Sequence, residues 1–428
     1  METQTPGRVR RDAPRGAVEG GRRVELDWLR TIVVLGTIPF HAVPVIGAEQ
    51  TAFILSAESN PTLAILAGFI LSWGIPLLFL LSGAATGLAL TTRSPGAYAW
   101  ERILRLGAPM LLMLLLFSPL QLYFILLSNP SLIQLVPRYG VTLDIPDPQR
   151  LSEIDYFFEQ YYRFLATSVR GYTPALGSFL LTHLWFVPRL LIVSFVSLPL
   201  LVYLRGRGRP LVERVTAFAA RPVALLLVGG LAPATLVTLL QPGWLGGMTA
   251  GWPFRDDWAA FFLDLVMFLY GFLLYASGER LRDLVRRAPY PALALSALCW
   301  AGIGVMLVTG SATTVDFSPA ALLFAVAQTF GVWLLVLAML GLAMRYLTVS
   351  TAWQRYLTAA AFPVFVLHGP LLTASAYYLL QLPTPGIMQL PLIFVATVAS
   401  AFALYEVIRR TPVVRVLFGV TAPASSRL

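Results

Sequence analysis

Ten apolar runs, each near the ~20 residues that a helix needs to cross a ~30 Å hydrocarbon core, leave this chain very few folds to choose from. They fall at about 26–46, 63–91, 106–127, 179–204, 222–240, 258–277, 290–309, 320–347, 356–381 and 388–408. The segments between them alternate in charge. Arginines crowd one set: the N-terminal tail, Arg93 with Arg102 and Arg105, 205–214, 280–287, Arg345 with Arg355, and 409–415. The other set is acidic or uncharged: Glu49 and Glu58, Asp256 and Asp257, Asp316, and 382–387. The long 128–178 segment joins it, with Asp144, Asp147, Glu153, Asp155 and Glu159 against four arginines. By the positive-inside rule both termini face the cytoplasm, and the number of spans is even.

Composition agrees. With 57% of its 428 residues hydrophobic and 12% charged, the chain reads as an all-α polytopic membrane protein. Its net charge of +10 is carried by arginines in short separate segments, which is a topology signal rather than a nucleic-acid surface. A single cysteine, Cys299, excludes an intrachain disulfide and a cysteine metal site, and three histidines leave little room for a metal cluster; no metal is expected.

Three regions follow. Residues 1–23, arginines among Gly and Pro, are expected to form a disordered basic cytoplasmic tail. The apolar run after them is longer than a signal-peptide core and carries polar residues, so no cleavage is expected. Residues 24–418 form the membrane domain, and 419–428 a second cytoplasmic tail. Within the 128–178 outer loop, Leu151, Ile154, Phe158, Tyr161 and Leu165 lie on one helical stripe, with Ser152 and Asp155 spaced as a capping box. An amphipathic helix on the membrane surface is the expectation.

The candidate chemistry starts in ELDWLRTIVVLGTIPFHAV, residues 25–43. Arg30 and His41 are eleven positions apart, which gives them nearly the same azimuth on a helix, roughly 16 Å apart along its axis. Pro39 and Pro44 flank the histidine, and each leaves a carbonyl four residues earlier without its amide partner, at Leu35 and Phe40. A pair with Asp27 at i and i+3 is the plainer use of Arg30. His183 and His368 also stand in apolar runs, the latter before Gly369-Pro370, a second expected helix break. Packing partners and participants are both open readings for them. Asp264 is the one acid well inside a run, and three uses are comparable: orienting a histidine, binding a substrate hydroxyl, or pairing with Arg189.

Taken together, DWLR with His41, IPLLFLLSG (75–83), ERILRLGAP (101–109), HLWF (183–186), FPVFVLH (362–368) and the terminal YEVIRR…LFG resemble the integral-membrane acyltransferases of type 3. The arginine pair with its proline, and HLWF, are most similar to the subgroup that succinylates periplasmic glucans. The resemblance implies a cytoplasmic acyl-CoA donor, acetyl-CoA or succinyl-CoA, and an extracytoplasmic carbohydrate acceptor, in the cytoplasmic membrane of a bacterium. It implies catalytic roles for His41 and Arg30 and donor binding by Arg102 and Arg105. His183, Trp185, Asp264 and His368 are the candidates for the substrate side. Neutral imidazole is the usual base for an alcohol attacking a thioester, and arginine forks suit the phosphates of CoA. Direct transfer and an acyl-histidine route use the same residues. A multi-span transporter or exporter is the alternative reading.

Overall fold

The computed structural model describes residues 23–42, 61–129, 147–168, 182–231, 233–235, 258–276, 279–311 and 318–420. These are almost wholly helical, with no strand among them. The order is α1 (Val24–Ala42), α2 (Pro61–Ala89), α3 (Pro95–Ser128), α4 (Ile154–Ser168), α5 (Phe186–Arg205), α6 (Arg209–Ala219) and α7 (Pro222–Leu226). Then come α8 (Trp258–Ala276), α9 (Glu279–Arg287), α10 (Pro289–Val308), α11 (Pro319–Tyr346), α12 (Ala352–Leu379), α13 (Gly386–Arg410) and α14 (Pro412–Leu417). The chain is an all-α, multi-pass membrane protein.

Where ten spans are expected from the sequence, the described residues hold seven helices long and apolar enough to cross a membrane, or nine if two bent pairs each count as one. In both bent pairs one arm is apolar and the other, α6 or α9, carries arginines and turns away by 107° or 109°. α1 stands outside the nine because Glu25, Asp27 and Arg30 charge its first two turns. Its expected continuation to residue 46 lies outside the described residues, as do the 1–22 tail and residues 421–428. The expected boundaries otherwise match closely, with one exception. α3 begins at Pro95 rather than near 106, because Ser94 caps it through the Ala97 amide at 3.3 Å and Pro95 opens its first turn. The arginine pair is thereby part of the helix.

α3 is also irregular. Ile103–Gly107 and Met113–Phe117 are π turns. Such turns loosen the regular ladder, and two side-chain hydroxyls from the amphipathic helix α4 exploit it. Tyr161 donates to the Leu114 carbonyl at 2.6 Å and Tyr162 to Leu115 at 2.7 Å. The helix expected in the outer loop therefore exists, and most of the expected stripe packs inward: Leu151 and Tyr161 are buried, and Phe158 and Leu165 lie against the same apolar cluster. Tyr156, Phe157, Gln160 and Tyr161 are buried, whereas Ile154 is exposed, because the helix docks by its aromatic residues onto the far end of α3.

The centre of the bundle is the crossing of α2 and α8. A Cβ on Gly83 would strike the Phe268 carbonyl, and one on Gly271 the Leu80 carbonyl, so the two backbones touch. Between helices in lipid, where the hydrophobic effect gives no drive, such small-residue contact supplies the packing. Phe79, Phe268 and Phe272 close around it, fully buried. α1 lies against α12 and α2, which brings the opening helix inward.

Candidate active site

The three histidines, scattered over 328 residues of sequence, come together. Ring centroids are 5.0 Å apart for His41 and His368, 4.6 Å for His183 and His368, and 6.2 Å for His41 and His183. His183 and His368 are buried, and His41 is half-buried.

Prolines make this possible, though not by breaking helices. α12 runs unbroken through Pro363 and Pro370, and α1 through Pro39, so the helix break expected at Gly369-Pro370 is absent. What Pro370 does is remove one amide hydrogen, leaving the Val366 carbonyl without its helical donor. His183 Nε2 fills the vacancy, donating to Val366 at 3.2 Å and to Phe365 at 3.1 Å. Its ring lies where a Cβ on residue 369 would be, which is why Gly369 precedes the proline. Pro44, the other expected break near His41, is outside the described residues.

The carbonyls also set the tautomers. His368 Nδ1 faces the Phe365 carbonyl at 2.6 Å, so it carries the hydrogen and its Nε2 is an acceptor. His41 Nδ1 faces the Thr37 carbonyl at 2.7 Å and that same His368 Nε2 at 3.2 Å. Both are acceptors, so His41 Nδ1–H donates to the pair. A neutral His41 then has its lone pair on Nε2, which no described residue occupies. His183 completes the group. Its Nδ1 lies 3.2 Å from Oε1 of the buried Gln121 amide.

Toward the charged end of α1 stands a set of arginines. Arg30 lies within electrostatic reach of Asp27, Arg102 and Arg105. No described residue hydrogen-bonds or pairs with its guanidinium, so the simple Asp27–Arg30 bridge is not formed. Arg102 is held by neutral groups: Nε donates to the Tyr98 hydroxyl at 3.0 Å and Nη2 reaches Thr86 Oγ1 at 3.5 Å. Tyr98 and Thr86 are themselves bonded at 2.7 Å, a buried platform beneath the charge. Arg105 is exposed and pairs with Glu101 at 3.1 Å, an acid it shares with Arg93. Three cations thus face two acids, one of which also serves Arg93.

Of the three uses considered for Asp264, the pairing with Arg189 is the one found. Arg189 Nε and Asp264 Oδ2 are 2.8 Å apart and both side chains are almost fully buried. The contact is one of opposite charges rather than an aligned hydrogen bond. Trp185 stacks over Arg189 at 5.8 Å, which ties it to this pair. Thr37, Gln121, Tyr98 and Thr86 are site residues that sequence reasoning passed over. Gln121 was the findable one, an amide within an apolar run where an unbonded polar group is costly.

A family model described as an acyltransferase domain matches residues 23–406. The chain belongs to this acyltransferase family. The match begins at the first described residue and takes in every element that supplies a histidine or a mouth arginine. No curated protein and no solved structure gives a match to the chain.

Proposed function

We propose that this membrane acyltransferase moves an acyl group from cytoplasmic acyl-CoA, acetyl-CoA or succinyl-CoA, to a hydroxyl of an extracytoplasmic carbohydrate. A cell-envelope glucan in the cytoplasmic membrane of a bacterium is the setting that the motifs favour. The single observation that carries the reading is His41 Nε2, a bare imidazole nitrogen whose opposite nitrogen is committed to Thr37 and His368.

Such a nitrogen suits a base. His41 Nε2 takes the proton of the acceptor hydroxyl as its oxygen bonds to the thioester carbon. The imidazolium formed keeps its Nδ1–H on two acceptors, which offsets charge in a low-dielectric surrounding. When the carbon–sulfur bond breaks, Nε2–H returns the proton to the leaving sulfur, and the ring is neutral again. Arg30, Arg102 and Arg105 suit the phosphates of the donor, and Arg30 is the one with no described partner to displace. Arg30 and His41 lie on one helix about three turns apart, so an extended donor arm running along α1 would join the two. The arginine-rich segments, cytoplasmic by the positive-inside rule, support a donor from below and an acceptor from above.

The test uses purified protein in lipid nanodiscs with acetyl-CoA, succinyl-CoA and candidate glycans, following thiol release and glycan mass together. Transfer that disappears in a folded His41→Ala protein is expected. Undiminished transfer in that variant would overturn the assignment.

A further inference from the structure

The terminal LFG, Leu417–Gly419, has no task in the reaction just described, yet it is built into the bundle. The chain leaves α13 at Thr411 in an extended conformation and forms the six-residue helix α14. That helix ends in a Schellman turn: the Val420 amide donates to Arg415 at 3.0 Å and the Gly419 amide to Val416 at 3.0 Å. Gly419 has φ +66°, the left-handed region that favours glycine. The turn throws the last residues back onto α3. A Cβ at Gly419 would stand 3.4 Å from the Arg105 carbonyl oxygen. Phe418, 2% exposed, meets the edge of Phe117 at 6.3 Å between ring centroids. Val420 packs on the cluster formed by Ile38, Ala360, Val364, Ala401 and Tyr405.

Arg105 belongs to the first π turn of α3 and Phe117 closes the second, so this hook touches both irregular turns of the helix that carries the arginine pair. A π turn costs regular hydrogen bonding and persists where its surroundings hold it, often at functional sites. We propose that the C-terminal hook, Leu417–Val420, is a positioning element for the donor: Phe418 and Gly419 brace the α3 turn that carries Arg105 and directly follows Arg102, and so hold both toward CoA. The inference rests on the acyl-CoA reading above. The outward face of α14, with Val413 and Val416 exposed, takes no part in it.

The test compares Phe418→Ala, Phe418→Leu, Gly419→Ala and Val413→Ala in the full chain, measuring CoA binding by calorimetry, kcat and KM for acyl-CoA, and thermal melting. Phe418→Ala and Gly419→Ala are expected to weaken CoA binding about tenfold, the scale of one misplaced phosphate contact, with kcat at saturating donor nearly kept. Phe418→Leu restores most of the affinity, and Val413→Ala matches wild type. If Phe418→Ala and Gly419→Ala bind CoA as wild type does, the hook has no such role. A parallel fall of binding, kcat and melting temperature also overturns it, since that marks a merely structural tail. Absence of CoA binding by the wild-type protein sinks the donor reading itself, and this inference with it.

Discussion

The histidine centre and the arginine mouth each take one residue, His41 and Arg30, from the first helix, and they are held in opposite ways. At the centre, five of the six polar contacts that orient the rings go to backbone carbonyls or to another histidine: Thr37, Phe365 (twice), Val366 and His368. Carbonyls on packed helices do not move, so the rings are fixed in position and tautomer. At the mouth the guanidiniums rest on side chains instead, a phenol, a hydroxyl and one half-buried carboxylate. Bond-making needs placement to within a fraction of an ångström, whereas capture of a phosphate tolerates adjustment. The difference between the two regions matches those two demands.

Substitutions can break this contrast, and the largest effect belongs to the centre. His41→Ala is expected to lower kcat by about 10²- to 10⁴-fold, the range of a lost general base, while CoA affinity measured by calorimetry stays as it was. His368→Ala removes the acceptor that shares the His41 Nδ1 hydrogen, and a misoriented base costs on the order of 10²-fold in kcat. Steady-state kinetics with the donor saturating would read that loss without interference from KM. Gly369→Ala drives a methyl into the His183 ring and should lower kcat about tenfold, with a drop in melting temperature as the ring shifts.

The mouth should answer in KM instead. Arg102→Ala is expected to raise KM for acyl-CoA about tenfold, and Arg105→Ala only about two- to threefold, because Arg105 is exposed and already shared with Glu101. Repeating both at high salt should shrink these differences but leave the His41 and His368 losses unchanged. A mouth variant that lowered kcat with KM intact would erase the distinction between the two regions.

Much of this is legible in the sequence alone. The apolar runs follow from local hydropathy, so the helices match the expected spans to within a few residues over most of the chain. Arg30 and His41 belong to one helix, and their common face follows from a fixed rise and turn per residue. The arginine pair was equally visible, though its helix starts a turn and more earlier because Ser94 caps it. The stripe of α4 is largely the face that packs inward, Ile154 excepted, but its partner, the carbonyls of α3 that receive Tyr161 and Tyr162, is not legible from periodicity.

What the sequence determined alone is therefore one-dimensional: which segments are helical, which are apolar enough to enter a membrane, and which residues share a face within one helix. Hydropathy and helical periodicity act over a few turns and need no knowledge of neighbours. The meeting of His41, His183 and His368, the tautomer that bares His41 Nε2, and the pairing of Asp264 with Arg189 depend on lateral distances between helices. Those distances were decided by packing, by glycines such as Gly83, Gly271 and Gly369 that let backbones and rings come close. A proline that leaves one carbonyl unpaired becomes part of a site only when another helix brings a donor to it.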